Sequence, residues 1–160
     1  MTKLEYTPDV GIKLNSSTIN WLQHRGNIRK LIDLPFEEED KVIDLGDNRS
    51  IQVKRDIYEN VNSGDNYFFL NYNSENLLTE IEVQWGVNIT VNDIDIDFKK
   101  NIRESVNGLC KLSHTYKEIE PGNYLFPDLK LTIADQNSLG GDGHNLGYFY
   151  ASTDISHLNE

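Results

Sequence analysis

The sequence has a single cysteine, Cys110, so no intrachain disulfide can form, and a chain without such staples suits a reducing compartment. It has no run approaching the ~20 apolar residues that a membrane-spanning helix needs. Met1 to Val10 carries Lys3, Glu5 and Asp9 where a leader would be apolar, and a soluble cytoplasmic protein is the resulting expectation. No internal repeat and no linker rich in Pro, Gly or Ser divides the 160 residues. One domain over residues 1–160 is therefore expected, with a polar tail at 153–160 whose composition is open to disorder. Basic residues are also scarce: 15 Lys and Arg face 26 Asp and Glu, a net charge of −11. The deficit is spread evenly, −5 over residues 1–80 and −6 over 81–160. Such a surface repels nucleic acid and anionic lipid and speeds encounter with cationic partners.

Familiar catalytic and ligand-binding patterns are missing too. The four histidines, His24, His114, His144 and His157, show no H-x-x-H or H-x₃-H spacing, so no zinc helix is expected. The glycine-rich stretch Leu139 to Gly147 is not followed by the Gly-Lys-Ser/Thr of a phosphate loop, and a plain loop is the reading. Asp93, Asp95 and Asp97 alternate with isoleucine. Counted as a calcium loop from Asp93, they place Phe98 where glycine is required, which leaves three carboxylates on a strand and a helix cap. Cys110 and His114 would meet only if a helix continued through Leu112 and Ser113. Cys110 falls on an apolar stripe and reads as a buried structural thiol. No G-x-S-x-G elbow occurs. The expectation is a protein without catalytic activity, metal or cofactor.

Strand signals dominate what remains. Val10 to Leu14 alternates as a short strand and leads through Asn15-Ser16-Ser17 into a short helix over Ile19, Trp21 and Leu22, ending near Arg25 with Gly26 as terminator. Asn27 to Leu34 fits either more helix or a strand. Glu37, Glu38, Glu39 and Asp40 read as a solvated loop, since four adjacent acids repel one another. Lys41–Leu45 and Ser50–Tyr58 form a hairpin across Gly46-Asp47-Asn48-Arg49. Tyr67–Tyr72 and Leu78–Trp85 form another. In the latter strand Ile81, Val83 and Trp85 share one face and Glu80, Glu82 and Gln84 the other. Ile89–Val91 and Ile94–Ile96 turn at Asn92-Asp93. The clearest helix runs from Phe98 to Cys110 with Asp97 as cap. Thr115–Ile119, Tyr124–Ala134 and Leu146–Ser152 complete the strands, and Trp21 and Trp85 are assigned to the core. The fold class is α+β: a mostly antiparallel sheet of about eight short strands with two helices.

Gly11-Ile12-Lys13-Leu14-Asn15-Ser16, the segment Tyr67 to Gly86, the acidity and the lone cysteine together resemble the bacterial immunity proteins of contact-dependent inhibition and other polymorphic toxin systems. The resemblance covers general architecture and carries no signature motif. It implies a cytoplasmic protein that neutralises a cognate basic toxin, of nuclease type, by covering its active site with an acidic surface. It implies no contact with nucleic acid or membrane. The charge for such a surface is expected from Glu37, Glu38, Glu39 and Asp40, from Glu80 and Glu82, and from Asp93 and Asp95. Tyr148 and Tyr150 read equally as anchors and as core. The alternative is a small-ligand or carbohydrate-binding β domain using aromatic and Asn-rich loops. A hydrolase built on paired carboxylates such as Glu80 and Glu82 would need a cleft that no segment supplies. The oligomeric state is left open.

Overall fold

Period-two alternation of apolar and polar residues recurs along most of this chain, and strands result. A computed structural model describes residues 1–158. It contains strands β1 (Lys3–Thr7), β2 (Gly11–Leu14), β3 (Ser17–Asn20), β4 (Glu37–Gly46), β5 (Arg49–Glu59), β6 (Tyr67–Tyr72), β7 (Leu78–Trp85), β8 (Asn88–Val91), β9 (Ile94–Ile96), β10 (Lys117–Glu120), β11 (Asn123–Phe126), β12 (Leu131–Asp135) and β13 (Leu146–Ser152). The helices are α1 (Arg25–Ile32) and α2 (Ile102–Leu109). The fold is α+β with mostly antiparallel pairing, as expected, but the strands are divided between two sheets.

The smaller sheet has the order β3-β2-β1-β8-β9, and its one parallel pairing joins β1 to β8. The larger, fully antiparallel sheet has the order β10-β11-β12-β13-β7-β6-β5-β4. Their inner faces enclose one core. Leu4, Ile12, Ile19, Ile89 and Val91 from the small sheet meet Phe68, Leu70, Ile81, Val83, Ile133 and Phe149 from the large one. Tyr6 crosses between them, its ring edge-on to Phe149 at 6.2 Å and its hydroxyl donating to the Leu129 carbonyl at 2.7 Å. Burial pushes that phenol's pKa well up. Five strands cannot cover eight, so the helices fill in beside the small sheet's two edges. Helix α1 packs on β3, and α2 packs on β9 and also reaches β12.

Two glycines show how tight these junctions are. Where the chain passes from β7 to β8, Gly86 has φ +74°, and a Cβ there would lie 1.8 Å from the Asp65 carbonyl oxygen. Gly108 lies in the last turn of α2, and a Cβ on it would stand 2.7 Å from Ile94 Cγ2, so the missing side chain lets the helix seat on β9.

Several local readings change. Ser17–Asn20 is a strand, not the start of a helix: it closes the small sheet's edge with Ile19 fully buried. The helix begins where it was expected to end. His24 caps it, its Nδ1 accepting from Gly26 N at 3.1 Å, and Asp33 at φ 50° supplies the left-handed stop assigned to Gly26. Asn101, not Asp97, caps α2, and Asp97 accepts from Lys99 N in the preceding turn. Cys110 lies just past the last turn and is exposed. The expected strand over Tyr124–Ala134 is broken by a one-turn 3₁₀ segment at Pro127–Leu129, because proline lacks the N–H a ladder needs and Lys130 turns at φ 51°. Trp85 is 43% exposed. Of the expected tail, residues 153–158 are described: Thr153 N donates to the Thr79 carbonyl, Ile155 is buried, and Ser156–Leu158 form a one-turn 3₁₀ segment. Residues 159 and 160 lie outside the described residues. Among the described residues no helix is long and apolar enough to cross a membrane.

Gly86→Ala tests the junction. The substitution forces a positive φ and a backbone clash together, and a loss of about 2 kcal/mol or more is expected in urea unfolding. An unchanged midpoint would show that the β7–β8 turn tolerates a side chain.

Candidate functional site

Net charge alone does not say which carboxylates are free to meet a partner. The register of β4 against β5 decides it for the acidic run. Glu37 to Asp40 form the first half of β4, so the expected loop is a strand, paired Glu37–Ile57 through Asp40–Lys54. The repulsion that argued for a loop is relieved by nearby cations. Alternation sends Glu38 and Asp40 to the inner face and Glu37 and Glu39 to the outer one. On the inner face, Asp56 of β5 is fully buried. Arg25 and Arg29 of α1 reach it from above: Arg25 Nη2 lies 2.7 Å and Arg29 Nη2 2.6 Å from Oδ1, and Arg29 Nε lies 2.8 Å from Oδ2. The same guanidinia then take the acidic run. Arg25 grips Asp40 with two bonds of 3.0 and 3.1 Å, and Arg29 meets Glu38 at 2.7 Å. Burial would lower the Arg25 pKa, but the bonds to Asp56 and Asp40 outweigh it and the net shift is upward. Arg29 also rises, mainly through its bond to Asp56.

On the outer face Glu39 binds Arg55 at 3.0 Å and Lys41 at 2.6 Å. These bonds, Arg55 first, hold its carboxyl down at about 2. Of the four acids only Glu37 is left without an ion pair among the described residues. The run therefore supplies little free charge.

Glu80 and Glu82 are placed differently. Both project from β7 onto the outer face of the large sheet, and neither has a cation partner among the described residues. Their contacts are neutral donors. The Tyr148 hydroxyl donates to Glu82 and the Tyr150 hydroxyl to Glu80, both from β13, and Asn71 Nδ2 donates to Glu82 at 2.7 Å. Burial, reinforced by the adjacent carboxylates, drives both phenols' pKa values up, so they remain donors. Tyr148 and Tyr150 are thus neither bare anchors nor simple core: Ile155 and Leu158 pack beside them and they brace the acids.

Next to the glutamates the same face carries aromatics. Tyr67 stacks on Trp85 at 4.9 Å and meets Phe69 edge-on at 4.8 Å, and Arg55 lies over Phe69 at 5.0 Å. Tyr67, Asn71, Glu80 and Glu82 are half-buried and Trp85 is exposed, so among the described residues no layer covers this end of the face. The residues 153–158 cover only the end over β11 and β13.

No family model matches the chain, and no curated protein or solved structure matches it.

The structure does not bring the eight expected residues into one place. Asp93 sits in the β8–β9 turn at φ 70°, and Asp95 is exposed on β9 of the other sheet. There Asp95 and Asp97 help line an open groove of about 460 Å³ with Lys3, Glu5, Lys99 and Lys100, where the two signs of charge offset each other. The glycine-rich loop folds over Asp135, whose carboxylate accepts from Ser138 N at 2.8 Å and sits 3.0 Å from His144 Nδ1. Ser138 Oγ donates to the Asp135 carbonyl at 3.0 Å. Among the described residues, no three His, Cys, Asp or Glu side chains converge to hold a metal ion. Arg25, Arg29 and Asp56 escaped the sequence reading. Their signal was present in β5, where Asp56 shares the core-facing parity of Tyr58.

Two outcomes test the cluster. Asp56→Asn leaves two guanidinia partly uncompensated, and a loss of about 3–5 kcal/mol is expected in urea unfolding, against less than about 1 kcal/mol for the exposed Glu38→Gln. Glu39 has a depressed folded pKa, so its stabilisation is complete above its ordinary value and disappears as pH falls toward 2. The gap in urea midpoint between wild type and Glu39→Gln should therefore close between pH 5 and pH 2. A gap that persists at pH 2 would show that the Arg55 and Lys41 pairing contributes nothing.

Proposed function

We propose that this protein is a non-catalytic neutraliser of a basic protein, acting as an immunity protein does, and that it docks its partner on the outer face of the large sheet. The observation that carries the reading is the pair Glu80 and Glu82. Neither has a cation partner among the described residues, and they lie beside the half-buried Tyr67 and the exposed Trp85. A nuclease binds phosphate with a basic surface. Carboxylates fixed by phenolic donors on a rigid sheet can occupy the places of those phosphates with little ordering cost. The aromatics supply the apolar anchors that tight complexes need, and the long-range field of the −11 chain speeds encounter. On this reading the Glu37–Asp40 run has a structural role, and Asp93 and Asp95 contribute only to the field.

A second reading draws on one specific feature. The stacked Tyr67–Trp85 pair, with Trp85 exposed, offers a flat platform of the kind that binds sugar rings. A thermal-shift screen of sugars separates the two readings: stabilisation that Trp85→Ala abolishes would favour the sugar platform.

The test of the main reading is whether the protein encoded beside this gene is basic and is captured by this one, together with protection of cells that express it. Binding should weaken at least tenfold between low and moderate salt, and Glu80→Lys combined with Glu82→Lys should abolish both capture and protection. Capture that ignores salt and survives the double reversal would remove the outer face from the account.

A further inference from the structure

The β4–β5 hairpin extends well beyond the sheet to which it belongs. Strand β6 pairs with β5 only over Arg55–Glu59, so among the described residues 41–54 form a two-stranded arm with no third strand on either side, tethered at its base where Lys54 Nζ donates to Asn76 Oδ1 at 3.2 Å. Isolated two-stranded ribbons are marginal in water. This one also exposes apolar side chains: Val42 is 67% exposed, Ile43 40%, Leu45 49% and Ile51 49%. β4 is an edge strand, so its backbone donors and acceptors are open along one side. Edges of this kind are usually blunted by charge, and here the acids crowd only the half from Glu37 to Asp40. The chain's acidity lapses along the arm: Lys41, Arg49 and Lys54 against Asp44 and Asp47 give a net +1.

We propose that the arm is a homodimer interface, in which β4 pairs antiparallel with β4 of a second copy and the two large sheets become one. Local charge argues for this occupant. A cationic partner gains nothing from a segment of net +1, whereas two copies of a −11 protein can approach each other with little local repulsion there. A two-fold axis perpendicular to the sheet sets residues opposite one another in same-parity pairs. Centring it on Val42 would oppose Asp40 to Asp44. Centring it on Ile43 opposes Ile43 to Ile43, Val42 to Asp44, Lys41 to Leu45 and Asp40 to Gly46, with no like charges facing within the strand. Ile51 pairs with Ile43 within each hairpin, so this register builds an unbroken row Ile51–Ile43–Ile43–Ile51 on the outer face. The axis also sets both outer faces on the same side of the assembly, so each dimer presents two copies of the Glu80–Glu82 face.

Sedimentation of the full chain tests the proposal. The wild type should run at twice the 18.4 kDa protomer mass at micromolar concentration, and Ile43→Lys should raise the dissociation midpoint at least tenfold. Ile43→Cys in a Cys110→Ser background should form a disulfide-linked dimer on mild oxidation, because directly opposed residues lie within disulfide reach. Gln52→Cys, on the inner strand of the arm, should not. A chain that stays at 18.4 kDa to several hundred micromolar overturns the proposal. So does a dimer that Ile43→Lys leaves intact, or an Ile43→Cys variant that does not cross-link.

Discussion

A fully buried carboxylate, Asp56, sits on the large sheet's inner face, one strand in from its edge, and is tolerable only because two guanidinia reach it from α1. An isolated charge in that position would cost several kcal/mol, so the pairing fixes where α1 lies. Once α1 is there, Arg25 and Arg29 have donors to spare. They draw Glu38 and Asp40 into β4, and a stretch that would otherwise repel itself becomes an edge strand. The position of the helix and the neutralisation of the acidic run both follow from that one buried ion cluster.

The same constraint sorts the protein's negative charge. Carboxylates near α1 and Arg55 are consumed internally, those of the small sheet share their groove with lysines, and Glu80 and Glu82 face only phenols and an amide. Glu80 and Glu82 thus mark a rigid face where unpaired acidity and the exposed Trp85 coincide. That face exists because the two sheets differ in width and because only one side of the large sheet is needed to close the core.

Elements with regular alternation were legible in the sequence. Tyr67–Tyr72, Leu78–Trp85 and Leu146–Ser152 have the bounds their periodicity predicts, and so does the turn at Asn92-Asp93. Local reasoning failed where a distant group decides the outcome. The Glu37–Asp40 run reads as a loop until Arg25, Arg29 and Arg55 are brought beside it. Gly26 reads as a terminator because nothing nearby reveals that His24 is a cap. The division into two sheets was illegible because the pairing of β1 with β8 joins residues more than eighty positions apart. Of the site, alternation correctly set Glu80 and Glu82 apart from the core. It could not show that Tyr148 and Tyr150 would brace them or that Trp85 would lie open beside them.

The central claim is that Glu80 and Glu82 are free to meet a cationic partner and that Glu38, Glu39 and Asp40 are not. Side-chain carboxyl resonances followed during titration with a short oligolysine test it without any natural partner. The account predicts that the shifts of Glu80 and Glu82 move first, with the Tyr148 and Tyr150 rings following, while Glu38 and Asp40 stay put. Perturbation centred on Glu38 and Asp40, with the β7 glutamates silent, would contradict it.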